Sequence, residues 1–122
     1  WESVPASKLP LYFEPSMAPR GHHNLPVLPW YAVKDRARSI PTGTLMLLVR
    51  EPRKYNPVRI SHVGIIIQPR EESGVTVIRH ASREGWGRVV DQKLVSYVES
   101  LATKSRWPAL GINLQLPLQV GD

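Results

Sequence analysis

The spacing of proline limits this chain more than any other feature. Seven of its twelve prolines (Pro5, Pro10, Pro15, Pro19, Pro26, Pro29 and Pro41) fall within residues 1–41. A proline inside a helix removes a backbone hydrogen bond and clashes with the preceding turn. No helix longer than about two turns fits between these positions. Residues 1–40 therefore read as a Pro-rich extended arm with short turns, packed through Leu11, Tyr12, Phe13, Trp30 and Tyr31. One or two helical turns fit over residues 31–39. An irregular stretch this long is unusual in a free-standing domain, and the chain opens on Trp1 rather than Met. Both features lead to the expectation that something the arm normally packs on is missing.

From Pro41 the pattern changes, and residues 41–122 read as a sheet-bearing half-domain. "TLMLLVR" (44–50), "ISHVGIIIQ" (60–68), "VTVIRHA" (75–81), "GWGRVVD" (85–91) and "INLQLPL" (112–118) are strand candidates separated by turn residues. The run at 60–68 is apolar at both parities, which predicts a central strand covered on both faces. Asp91 is placed to cap a helix over 92–102, where Leu94, Val95, Val98 and Leu101 mark one face. The expected fold is α+β: an antiparallel sheet of about five strands with one helix packed on it.

With 122 residues, 42% apolar and 21% charged, the chain fits one globular domain, and no apolar run approaches a membrane span. The net charge of +6 suits an acidic partner or a solvated basic surface. No basic stretch interleaved with aromatics and no DNA-binding spacing is present, so no nucleic-acid partner is expected. The absence of cysteine excludes disulfides, thiolate metal sites and a cysteine nucleophile within these residues.

The strands at 60–68 and 75–81 carry the chemistry. A symmetric hairpin sets Gln68 opposite Gly74, Ile66 opposite Thr76 and His62 opposite His80. Directly opposed residues share a face, so the two imidazoles would meet, whereas a one-residue slip would part them. Gly64 lies on the same face and removes a side chain beside His62, a common mark of close approach by a ligand or backbone. A histidine whose second nitrogen is held by a partner is oriented as a general base. This gives His62 as catalytic base and His80 as its orienting partner. Two ordinary satisfied histidines remain the competing account, and a zinc site is a weaker one because no third ligand has suitable spacing.

The strings "ISHVGIIIQ", "IRHAS", "VVDQKLVSYV" and "GINLQL", with "IPTG" before the first strand, resemble the second half of the N-acetylmuramoyl-L-alanine amidase-like family. That family belongs to the NlpC-type, papain-like cysteine peptidases and amidases of bacterial cell walls. The resemblance covers about residues 40–117 and implies half of a papain-like fold. It implies a bacterial cell-wall hydrolase acting on an amide near the sugar–peptide junction of peptidoglycan, in the cell envelope and without a cofactor. His62 would activate a cysteine thiolate and His80 would orient it. The family's cysteine opens an upstream helix, and none exists here. A missing N-terminal segment or second chain would supply it, and the chain alone would be silent. An inactive binding or scaffold module on anionic wall polymer or a partner protein is the alternative.

Lesser candidates are Gly64, Arg79, Ser82 and Trp86 as substrate contacts, with Arg83 and Arg88 nearby as further cations. Glycines on both sides of Trp86 permit unusual backbone angles there, so its ring would stack on a ligand or cover the core. His22–His23 reads as a surface loop, and no metal ligands are assigned.

Overall fold

The computed structural model describes residues 25–54, 59–83 and 86–117. The expected contacts of Leu11, Tyr12 and Phe13 and the His22–His23 loop lie outside these residues, as does most of the arm. The described part is α+β, built on a six-stranded antiparallel sheet. In chain order the strands are β1 (Leu28–Pro29), β2 (Leu45–Arg50), β3 (Ile60–Ile67), β4 (Val77–Ala81), β5 (Val89–Lys93) and β6 (Ala109–Gln115). Their order across the sheet is β1-β6-β2-β3-β4-β5.

The sixth strand comes from the proline-rich segment. Leu28 and Pro29 pair with Ile112 and Gly111 at the sheet edge, where a proline costs no central ladder bond. Gly111 is required there, because a Cβ would collide with the Leu28 carbonyl oxygen. The chain then turns through Trp30–Ala32, the single helical turn α1 (Val33–Arg36) and Ala37–Ser39, matching the short helix expected over 31–39.

Helix α2 (Leu94–Thr103) and this turn region cover one face of the sheet. Even-numbered strand residues point into the shared core: Met46, Leu48, Ile66, Ile78 and Ile112 meet Val33, Ala37, Ile40, Leu94 and Val98. Each such side chain contributes about 1.5–3 kcal/mol when fully buried. The opposite face of β3 stays open, with Val63 51% and Ile65 40% exposed. The expectation of cover on both faces was wrong: the apolar odd positions of this strand have no described layer above them.

The β3–β4 hairpin is offset from the expected pairing. Ile66 opposes Ile78 rather than Thr76, and Ile65 opposes Arg79, a shift of two residues. The cause lies in the connection. Gln68 leaves the ladder, and its amide donates to the Ala37 and Ile40 carbonyls while its oxygen accepts from Thr76. Arg38 also donates to the Glu72 and Gly74 carbonyls. The turn is therefore a wide loop tied to the preceding helical segment. Because the offset is even, every side chain keeps its face.

Asp91 does not cap α2. It sits in β5 opposite Arg79, whose guanidinium donates to both carboxylate oxygens at 2.8 and 2.9 Å. This contact holds the Asp91 carboxyl below its ordinary range. The residue before α2 is Lys93, with no side-chain cap, so the helix begins later than its apolar spacing suggested.

Gly64 is buried against the side chain of Ile78, whose Cδ1 lies 2.5 Å from where a Cβ would stand. A Gly64→Ala variant is expected to lose about 1–3 kcal/mol of stability through overpacking. The check is a lower denaturation midpoint with an unchanged slope. Among the described residues, no helix is long and apolar enough to cross a membrane.

Candidate functional site

The face of the sheet that buries the core carries polar groups at one end. His62 follows Gly64 and Ile66 along β3, and His80 follows Ile78 along β4. On β5 the same face carries Gln92, which lies opposite Ile78. Both histidine contacts are diagonal: His62 to His80 through the shifted β3–β4 register, and His80 to Gln92 across the β4–β5 pairing. His62 Nε2 lies 2.7 Å from His80 Nδ1, and His80 Nε2 lies 2.5 Å from Gln92 Oε1. The His62 and His80 rings meet edge to face at 4.9 Å, and the Tyr97 ring of α2 packs 4.8 Å from His80. The two imidazoles therefore meet as expected, through a register that was not.

The order of protons follows from Gln92. An amide oxygen only accepts, so His80 donates through Nε2 and its neutral Nδ1 must accept. His62 Nε2 then donates to it, which leaves His62 Nδ1 with a lone pair and no hydrogen-bond partner among the described residues. His80 is 5% exposed, so its two hydrogen bonds also offset the cost of burying a polar ring. The pKa of His62 is lowered, first by burial and then by the nearby His80 and Arg50. The imidazole is thereby kept neutral near pH 7 and able to accept a proton.

An open cleft of about 900 Å³ lies over this row. His62, His80 and Gln92 line it, together with Ser61, Arg50, Ser82, Arg83 and Lys93. Helix α2 contributes Ser96, Tyr97 and Ser100, with Lys104 just beyond it. Among the described residues, Arg50, Arg83, Lys93 and Lys104 are its charged lining residues, and none of them is a carboxylate. Arg50 is fixed: its guanidinium donates to Ser61 Oγ at 2.7 Å, Ser105 Oγ at 3.1 Å and the Trp107 carbonyl at 2.6 Å.

The other expected contacts divide. Ser82 lines the cleft. Gly64 lies under Ile78 rather than in the cleft, so it makes room for packing. Arg79 occupies the open face with Asp91, because a residue next to His80 in a strand must point the other way. Trp86 is 93% exposed in the β4–β5 turn. Ser61 reaches the cleft where a bulge interrupts β2 between Leu48 and Val49. Gln92 was missed because strand β5 extends into what reads as helix. A spacing of four from Ser96 to Ser100 to Lys104 was the available signal for the helix side of the cleft. Among the described residues, no three His, Cys, Asp or Glu side chains cluster as a metal site requires.

Fold and site together define a two-layer α+β domain with a paired-histidine centre in a basic cleft. No family model and no solved structure matches the chain. Among curated proteins it is similar to a thymidylate kinase of Maridesulfovibrio salexigens, 35% identical over 73 residues, or 55% of this chain. The chain spans about a third of that protein's length (34%). This finding overturns the resemblance to the amidase-like family. The similarity found is to a kinase acting on thymidylate, and the cell-wall hydrolase reading, its peptidoglycan substrate and its scaffold alternative fall with it. Short strings of apolar and histidine residues such as these describe strands and strand ends of a sheet and do not by themselves carry a family.

Proposed function

We propose that this domain binds a phosphate-bearing ligand in the basic cleft. His62 then accepts the proton of a water that attacks the phosphorus of a bound phosphate ester, the new P–O bond forming as the bond to the leaving alkoxide or phenolate breaks. One observation carries the reading: the Gln92–His80–His62 row leaves a neutral imidazole lone pair under a cleft whose described lining holds four cations and no carboxylate. A general base needs a held partner nitrogen and a pKa near or below the working pH. A cation-lined concavity concentrates anions. The similarity to a thymidylate kinase supports a nucleoside monophosphate as the first ligand to test. It does not extend to the phosphate donor's site, since the 122 residues contain no G-x-x-x-x-G-K-[ST] loop.

Calorimetric titration with thymidine 5′-monophosphate at low salt should give saturable binding with Kd of about 1 mM or tighter. The affinity should fall as salt is added. A Lys93→Glu/Lys104→Glu double variant should bind at least about tenfold more weakly, through two lost cations and two added repulsions. Undiminished affinity in that variant would remove the cleft from the account.

A further inference from the structure

Trp86 combines two features that are each unfavourable to folding. Its backbone has φ 57°, the left-handed region that a bulky residue rarely adopts. Its side chain is 93% exposed, so no burial offsets that geometry. The conformation is nonetheless fixed by the turn: Trp86 N–H donates to the Arg83 carbonyl at 3.0 Å, and Gly87 N–H donates to the Ser82 carbonyl at 2.9 Å. Ser82 and Arg83 line the cleft. These two bonds set the Trp86 backbone beside the Ser82–Arg83 rim of the cleft, with the indole outside its lining.

We propose that Trp86 is a stacking platform for the planar ring of a ligand whose phosphate lies among the cleft cations. The chemical class is then a nucleotide rather than a sugar phosphate or inorganic phosphate. This inference rests on the phosphate-binding reading of the cleft and specifies its other end. An indole offers a large flat surface at little entropic cost. Aromatic stacking accepts any base, so the platform sets ligand class and not base identity.

The test compares thymidine 5′-monophosphate with 2-deoxyribose 5-phosphate on the full chain, in wild type, Trp86→Gly and Trp86→Phe. Wild type should bind the nucleotide more tightly than the sugar phosphate. Trp86→Gly should weaken nucleotide binding about tenfold and leave the sugar phosphate unchanged. Trp86→Phe should restore most of the loss. Since glycine tolerates the positive φ, Trp86→Gly should not lower the midpoint of thermal unfolding.

A lowered midpoint would make the ring a structural cover and overturn the platform. So would equal losses for both ligands, or no loss for either. Wild type that binds the sugar phosphate as tightly as the nucleotide would overturn the platform while leaving the cleft reading intact. Wild type that binds neither would overturn both.

Discussion

Replacing His62 with alanine should lower turnover by about 10²–10⁴-fold, the range over which a positioned general base acts. The readout is release of p-nitrophenolate from p-nitrophenyl thymidine 5′-phosphate. Affinity for thymidine 5′-monophosphate should stay within about twofold, because a group that moves a proton during reaction need not hold the ground state. Folding should survive, since His62 is half-buried at the rim of the core rather than within it. The rate in wild type should also depend on pH in a defined direction. The neutral imidazole is the active form, and burial with the nearby His80 and Arg50 lowers its pKa. The acid limb should therefore lie below about 6.5, the unperturbed histidine value. Stability follows the same sign. Between the lowered folded value and about 6.5 the unfolded chain binds more protons, so stability falls as pH drops through that window. An acid limb at or above 6.5, or a rate unchanged by His62→Ala, would contradict the assignment.

The second large effect is expected at His80, which touches no substrate and acts by positioning His62. His80→Ala removes the acceptor for His62 Nε2 and the donor to Gln92 Oε1. It also leaves a gap beside the Tyr97 ring. Stability should fall by about 1–3 kcal/mol, the cost of stranding a buried polar partner. Turnover should fall by about 100-fold through loss of the correct tautomer. Stability loss alone would not separate these roles, so His80→Gln is the informative comparison. Its amide oxygen can accept from His62 and should recover part of the rate. Gln92→Glu adds a further test: a carboxylate beside His80 favours the charged imidazole pair and should move the acid limb upward by about one unit. A purely structural His80 would shift neither the acid limb nor the rescue.

Much of this arrangement was legible in the sequence, and the misses have physical causes. The β-branched runs located β3 and β4 because such side chains fit a pleated, half-buried surface, and β2 was marked by an apolar run bounded by turn residues. That His62 and His80 share a face followed from parity, which survives any even offset in register. The offset itself was not legible, because it depends on Gln68 bonding to carbonyls of Ala37 and Ile40, far away in sequence. Parity also argued against Arg79 as a cleft residue, since it adjoins His80, but its charge drew attention instead. Gln92 lay hidden because β5 runs directly into α2, and no proline or glycine separates them. Function was least legible. Paired histidines on a hairpin state what the site can do to a proton, whereas the class of ligand depends on a cleft assembled from β2, β3, β4, β5 and α2.

The most direct measurement is nitrogen-15 NMR of the imidazole rings across pH in the unliganded protein. Near pH 7, His62 should show a protonated Nε2 and an unprotonated Nδ1, with a titration midpoint below 6.5. A proton on Nδ1 at that pH, or a midpoint at or above 6.5, would contradict a base held ready by His80 and Gln92.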